Sequence, residues 1–268
     1  MLRIALFSDV HGNILALDAV LADIGRASLF EEAYCLGDVV GYGPRPTEVI
    51  DRLRSLDVRT IRGNYDQGIG DESGSCGCHY STEQARSAGA ASYEFTSRVV
   101  SEAGKEWLLS LPTQIRIEER GVSLLLTHGS PRKINEYLTL DRTDVQLARL
   151  AVAAQADVVC VGHVHVPYHR AIAVDEGFVI HYVSSGSVGK PKDGDSRACW
   201  VELWLGDAED VALVCKGDSA AGPAGASEEG AIWAGIVVHR VPYDVEAVVG
   251  EMLEAGLPST LARALRTG

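Results

Sequence analysis

Apolar residues come in short blocks along the chain, and the spacing within each block changes from one to the next. Arg3 to Ser8 reads as a short buried strand ending at Asp9. Ile14, Leu17, Leu21 and Ile24 then recur at helical spacing, which predicts an amphipathic helix with those four on one face. Residues 33–38 form a second apolar run stopped by Gly37 and Asp38, and residues 47–56 a second amphipathic helix, with Pro46 suited to its start. Residues 58–66 are a third run closing in a polar turn. The opening 66 residues therefore read β-α-β-α-β, a pattern that favours a mainly parallel sheet with helices packed on it.

A Gly-, Ser- and Cys-rich loop runs from Gly68 to about Tyr80, followed by helical segments that stop near Leu111 and Pro112. Arg120-Gly121 signals a hairpin, and Thr143 to Gln155 a helix. Residues 157–167 form another strand ending in a polar turn. Residues 178–187, 198–205 and 210–215 read as successive strands of a second sheet. Residues 219–231 read as a Gly/Ala/Ser-rich loop. A strand from Ile232 and two helices complete what is expected to be one domain over residues 1–268, and no internal repeat is present.

With 46% hydrophobic residues in 268, the chain can bury a sizeable core. Asp plus Glu number 37 against 24 Lys plus Arg, a formal charge of −13. That balance works against loose binding to nucleic acid or an anionic membrane, which rests on Lys and Arg neutralising phosphate. The N-terminal apolar run is far shorter than a signal peptide, and no stretch reaches the roughly 18 apolar residues of a membrane span. A cytoplasmic protein is expected. Its six cysteines, Cys35, Cys76, Cys78, Cys160, Cys199 and Cys215, are then expected to be reduced.

Five polar clusters fall at or just beyond the ends of predicted strands: Asp9-Val10-His11, residues 37–41 around Asp38, Gly63-Asn64-Tyr65-Asp66, Thr127-His128-Gly129, and residues 162–165 with His163 and His165. Sites in open α/β sheets gather beyond the carboxyl ends of strands, so if these strands share one sheet the clusters meet at one edge. Carboxylate, imidazole and amide oxygen together make a mixed O/N ligand set, suited to Mn, Fe, Zn or Mg rather than to a thiolate site. Gly beside each ligand lets the backbone turn sharply.

The ordered set resembles the calcineurin-like metallophosphoesterase family, whose pattern is D-x-H, G-D-x-x-G, G-N-H-D/E, a lone His and G-H-x-H. Residues 130–137 and 184–195 resemble a bacterial subgroup and extend the likeness along most of the chain. The resemblance implies a four-layer αββα sandwich of two mixed β-sheets flanked by helices. It also implies two divalent cations, Mn²⁺ favoured over Fe²⁺, Zn²⁺ or Mg²⁺. By position, Asp9, His11 and His165 would hold the first, and Asn64, His128 and His163 the second. Asp38 would bridge them, as a carboxylate can between cations about 3.5–4 Å apart. Such a site hydrolyses phosphate esters with water and needs no protein nucleophile, and the chain has no G-x-S-x-G elbow.

The pattern departs at Tyr65, where the family has a His near the leaving group. Tyr can donate a hydrogen bond, but with an ordinary pKa of about 10 it carries no positive charge. The expectation is slow turnover of esters with poor leaving groups. Some members of the family lacking this His act on diesters, so the resemblance favours a diester over a monoester. Tyr65 and His79 are candidate substrate contacts, as is Arg132, the first choice among the flanking basic residues Arg132, Lys133, Lys190, Lys192 and Arg197. Asp66 would cap a turn or orient a ligand. Cys76-Gly77-Cys78-His79 reads as a structural or lid element, with redox control and an extra metal as alternatives. The turn at 184–191 lacks the Gly and the Ser or Thr of a phosphate loop, and its backbone N–H groups could line the pocket. His181 and His239 read as core histidines.

The expected partner is a small phosphate ester; homo-oligomerisation stays open, and neither membrane nor nucleic-acid polymer is expected. The rival readings are a binding or scaffold protein on the same fold, catalytically weak or inactive, and a nuclease. The first would let the ligand set relax, and the second would need a basic track.

Overall fold

The computed structural model describes residues 1–175, 178–215, 221–227 and 230–268. Strand β1 (Leu2–Phe7) leads into helix α1 (Ile14–Arg26), β2 (Ala33–Cys35), α2 (Pro46–Ser55), β3 (Arg59–Thr60) and α3 (Asn64–Gly70). Helices α4 (Glu83–Val99) and α5 (Glu102–Ser110) follow, then the hairpin of β4 (Gln114–Glu119) and β5 (Val122–Thr127). Next come α6 (Asp144–Ala154), β6 (Val158–Val161), β7 (Pro167–Asp175), β8 (Phe178–Ser185), β9 (Ala198–Gly206) and α7 (Ala208–Val214). The chain closes with β10 (Gly222–Ser227), β11 (Gly230–Val241), α8 (Val245–Glu254) and α9 (Ser259–Ala264).

Local chemistry starts the helices where the periodicity predicts. Asn13 caps α1 by accepting from the Ala16 N–H, and Thr143 and Gln146 form a reciprocal capping box on α6. Arg120 and Gly121 turn the β4–β5 hairpin with φ of 49° and 79°.

The strands divide between two mixed sheets, with orders β10-β11-β9-β1-β2-β3 and β4-β5-β6-β8-β7. In the first, β1, β2 and β3 run parallel while β9 and β11 pair antiparallel. In the second, β5, β6 and β8 run parallel between the antiparallel edge strands β4 and β7. Ile4, Leu6, Leu203 and Ile236 of one sheet bury against Leu124, Leu126, Cys160 and Val183 of the other. The outer face of the first sheet, with Ala5, Phe7 and Trp200, packs on Leu17, Val20 and Ile24 of α1 and Leu53 of α2. The second sheet's outer face, with Val159, Val161 and Tyr182, packs on Leu147 and Ala151 of α6. The result is helix, sheet, sheet, helix, the expected four layers.

Four expectations are corrected. The clustered strands lie in two sheets, not one. Residues 198–205 (β9) join the first sheet beside β1, because every residue of β9 is buried and such a strand fits only a sheet centre covered on both faces; its one charged residue, Glu202, is paired with Arg3 and His239. Residues 210–215 are the end of helix α7 and its cap: Glu209 and Asp210 suit a first turn, and Val211 and Cys215, four apart, both bury against the sheet. The Gly/Ala/Ser-rich stretch 219–231 holds a strand over residues 222–227 that pairs antiparallel with β11, because small side chains still supply a backbone ladder, here with a register shift between Pro223 and Gly225. Residues 219–220 and 228–229 of that stretch lie outside the described residues. No described helix is long and apolar enough to cross a membrane.

Candidate metal centre

Five loops follow β1, β2, β3, β5 and β6, and backbone hydrogen bonds zip them together. The Asp9, His11 and Gly12 amides donate to the Gly37, Asp38 and Val39 carbonyls at 2.9, 3.0 and 2.9 Å, tying the first loop to the second. The Gly162 amide donates to the His128 carbonyl at 2.9 Å, tying the last two. The sheets are joined where the His163 amide donates to the Asp9 carboxylate at 2.9 Å. Asp9, His11, Asp38, His163 and His165 all sit at positive φ, between 48° and 65°. Such backbone costs of order 1–3 kcal/mol per residue outside Gly and gathers at functional sites. Gly63 is required for the closest approach, since a Cβ there would stand 2.1 Å from the Asp38 nitrogen.

The side chains form two buried groups, Asp9-His11-His165 and Asp38-His128-His163, with the possible ligand atoms of each within 4.8 Å of one another. Each imidazole is aimed by the nitrogen it does not present. His11, His128 and His165 hold their Nδ1 against the carbonyls of Val40, Leu36 and Lys190 at 2.9, 2.7 and 2.5 Å, leaving Nε2 directed inward. The Asn64 amide is turned the same way: its Nδ2 donates to the Cys76 carbonyl at 2.9 Å and contacts Cys78 Sγ at 3.2 Å, so Oδ1 lies 3.0 Å from His128 Nε2. Asp9 spends Oδ2 on the Ser8 hydroxyl and the His163 amide. Asp38 accepts from the Tyr65 amide through Oδ1 at 2.8 Å and turns Oδ2 to His11 and His128 at 3.7 and 3.5 Å, between the groups.

These donors fit divalent cations. Asp9 Oδ1 and His163 Nε2 are buried with no hydrogen-bond partner among the described residues. Such an orphan costs about 1–3 kcal/mol unless something else meets it. His11 Nε2 faces His165 Nε2 at 3.4 Å, and Asp9 Oδ1 faces His165 Nε2 at 3.3 Å. Ligand atoms each about 2.0–2.2 Å from one cation stand roughly 3–3.6 Å apart, the spacing seen here. Burial keeps the imidazoles of His11 and His163 neutral, with pKa values pushed down to about 4 and about 3, and holds His165 well below its ordinary value. Burial also raises Asp9 to about 6. Burial opposes ionisation of Asp38 too, but His128 and His11 overcome it and hold that carboxyl low. His128 is the converse: burial disfavours its charge, yet Asp38 and Asp9 push it up to about 9.

All seven sequence-predicted ligands are thus brought together, but not the three candidate substrate contacts. Tyr65 is fully buried and turned into the core. Its hydroxyl reaches the Gly89 carbonyl and the Ser92 hydroxyl at 3.4 Å, and its ring fills the space where a Cβ on Gly41 would lie. Its backbone amide donates to Asp38 and its ring meets His11 edge-on at 5.6 Å between centroids, so the side chain packs beside the cluster while its hydroxyl points away from it. Arg132 is exposed and paired in a fork with Glu136 at 2.8 and 2.6 Å. It lines a cavity whose walls include none of the seven ligands. His79 is exposed, with no side-chain contact to the cluster among the described hydrogen bonds.

Other residues take their place. The Tyr137 ring stacks on His163 at 3.9 Å, and its phenol is raised to about 12 by burial and by Asp38. Lys190 and Lys192 act electrostatically on His11 and His165, both disfavouring protonation there. Lys190 is held 4.8 Å above the Tyr42 ring, and its ammonium is pushed down to about 7 by burial and by Lys192. Lys192 is exposed as a residue, and desolvation of its ammonium lowers its pKa against the pull of Asp9 and Asp38. Lys190 and Lys192 were among the flanking basic residues named from the sequence, whereas Tyr137 had only the subgroup-like stretch 130–137 as its signal.

Asp66 caps: its carboxylate accepts from the Val39, Val40 and Gly63 amides at 2.9, 3.2 and 2.9 Å. The turn at 184–191 acts as a buttress, its Val188, Gly189 and Lys190 amides being spent on Ser8, Asp9 and Ser187. Cys76 and Cys78 form a disulfide, which corrects the expectation of six reduced thiols; Cys35, Cys160, Cys199 and Cys215 are free and buried. His181 bonds His169 and the Pro223 carbonyl, and His239 stacks on Trp200 at 3.9 Å.

Comparison with known proteins agrees with this geometry. The family model described as the calcineurin-like phosphoesterase superfamily domain matches residues 2–203. The chain is 28% identical to the uncharacterized protein MJ0912 of Methanocaldococcus jannaschii, over 99% of this chain and 98% of that one. Among solved structures it is similar to a metallophosphoesterase from Sphaerobacter thermophilus, with a TM-score of 0.68 and 28% identity over 99% of both chains. It also shares its fold with the hypothetical protein PH1004 of Pyrococcus horikoshii OT3, at a TM-score of 0.73 and 21% identity, covering 99% of this chain and 98% of the other.

Proposed function

The chain belongs to the calcineurin-like phosphoesterase superfamily, and from that premise we propose that it is a dinuclear metal-dependent phosphoesterase acting on a small phosphate ester. Two divalent cations, manganese by preference, would polarise the attacking water and neutralise the phosphate oxygens. Asp9, His11 and His165 would hold one, Asn64, His128 and His163 the other, and Asp38 both. The observation that carries this reading is the pair of orphaned atoms, Asp9 Oδ1 and His163 Nε2, aimed into the cluster.

The remaining work falls to the chain's own groups. Backbone carbonyls fix the imidazole tautomers, and the loop at Cys76–Cys78 fixes the Asn64 amide, so the donors need not reorganise when substrate arrives. Lys190 and Lys192 supply positive charge toward the phosphate, and Tyr137 offers a flat apolar wall beside His163. Tyr65 stands at the position of the family's motif His, and its hydroxyl is turned toward Gly89 and Ser92, away from a leaving group at the metals. Activated esters should therefore turn over best. A diester is the favoured substrate, and the cytoplasm the favoured setting.

The test is to strip the protein with chelator, add back Mn²⁺, and compare an activated aryl phosphodiester with its monoester. Asp38→Asn and His128→Ala variants run beside it. Turnover that returns with metal and disappears in both variants supports the proposal, and the diester-to-monoester ratio decides the subclass. No turnover with Mn²⁺, Mg²⁺, Zn²⁺ or Fe²⁺ would overturn it in favour of a binding role.

A further inference from the structure

A cavity of about 460 Å³ opens between α6 and residues 131–142, lined by Arg132, Arg142 and Arg149 over Pro131, Leu150 and Ala153. No acidic side chain lines it, although the chain as a whole carries a formal charge of −13. Arg132 and Arg142 share one carboxylate, Glu136, at 2.6 and 3.5 Å. Arg149 is exposed, and no ion pair or hydrogen bond engages its guanidinium among the described residues. Three guanidiniums thus answer to one carboxylate. Guanidinium forks match phosphate oxygens, and the volume lies within the roughly 300–1,000 Å³ of small-molecule sites.

We infer that this cavity is a second anion site, separate from the metal centre, which takes a phosphorylated small molecule bearing an apolar ring. Its phosphate meets Arg149 and Arg142, and its ring lies on Leu150 and Ala153. The polar and apolar halves of the lining suit the two halves of such a ligand. Arg132 closes the rim through its fork with Glu136.

The probe is α,β-methylene-ADP, titrated calorimetrically into the metal-loaded chain, so that binding is read without turnover. Wild type and Asp38→Asn should both bind it at this cavity, because the cavity shares no residue with the ligand cluster. Arg149→Glu should weaken that binding by at least about tenfold, the loss expected for a charge-assisted contact. Ala153→Trp, which fills the apolar floor, should do the same. Because Arg149 and Ala153 are exposed, both variants should fold, and thermal melts check that they do. Unchanged affinity in Arg149→Glu would overturn the inference. So would loss of all binding in Asp38→Asn, which would place the probe at the metal centre alone, or no saturable binding at millimolar probe. Failure of the phosphoesterase reading would leave this binding intact, so the two can fail separately.

Discussion

The ligand cluster and the rim at Glu136 both gather charge, but they dispose of it differently. In the cluster, Asp9 Oδ1 and His163 Nε2 are buried with no hydrogen-bond partner among the described residues, while His11 and His165 turn lone pairs on each other. At the rim, Glu136 accepts from Arg132 and from the Ser130 hydroxyl at 2.6 Å, and water reaches what remains of Arg132. A buried orphan is a standing cost until a ligand such as a cation meets it, whereas an exposed ion pair is already complete and contributes little. Incomplete pairing under deep burial is therefore the better guide to chemistry than a count of charges. By that standard Arg132, prominent in the sequence, belongs to the rim.

The largest effect should come from the residue between the two groups. Asp38→Asn should cut metal-dependent turnover by at least about 10²–10³-fold and lower metal content measured after gel filtration. Near-wild-type turnover would mean the cluster is not where charge is used. Gly63→Ala should come next. Its Cβ would meet the Asp38 nitrogen and Oδ1 at 2.1 and 2.2 Å, both on the other loop, so that loop must shift. A loss of about 10–100-fold in metal affinity is expected, in line with disturbed ligand support, with a lower melting temperature.

Glu136→Gln probes the rim. Arg132 holds the Glu136 carboxyl down at about 2, against 4.5 ordinarily and against the opposing effect of its partial burial. A carboxyl depressed in the folded state stabilises fully above its unfolded pKa and loses that contribution as pH falls through the folded value. The variant should cost about 1 kcal/mol at neutral pH, after allowing for solvent around Arg132, and the difference should shrink from pH about 4.5 toward 2. Urea midpoints across that range read it; a difference constant with pH would mean the pair does not set the stability. Smallest of all should be Tyr65→Phe, which removes two long hydroxyl contacts. A change under about 1 kcal/mol is expected, with metal affinity unaltered. Tyr65→His should gain nothing on an alkyl phosphate, because the side chain faces Ser92 and Gly41; a gain would return position 65 to the site.

Much of the fold was legible because its signals are local. The period-3.6 stripe of α1, the Arg120-Gly121 hairpin and the strand ends at Asp9, Asp38 and His128 each lie within a dozen residues. The misreadings share one cause. Residues 210–215 are as apolar as a strand, and only the burial of Val211 with Cys215 against the first sheet marks a helix. Residues 222–227 have the composition of a loop, and a strand forms there because β11 offers a partner.

Sequence alone determined the ligand chemistry: seven O and N donors in order, each beside a turn, and those donors suit hard or borderline divalent cations whatever the fold. The tertiary structure decided which side chains face the donors. Two sheets, not one, meet at this edge, and that brings Tyr137 onto His163 and the charges of Lys190 and Lys192 near His11 and His165, while the Tyr65 hydroxyl is turned toward Ser92 and Gly89. A short motif specifies the turn that carries a ligand, because a turn is set by its own few residues. The direction of a neighbouring side chain is set by whatever packs against it, and here those partners lie far along the chain, as Ser92 and Gly89 do for Tyr65.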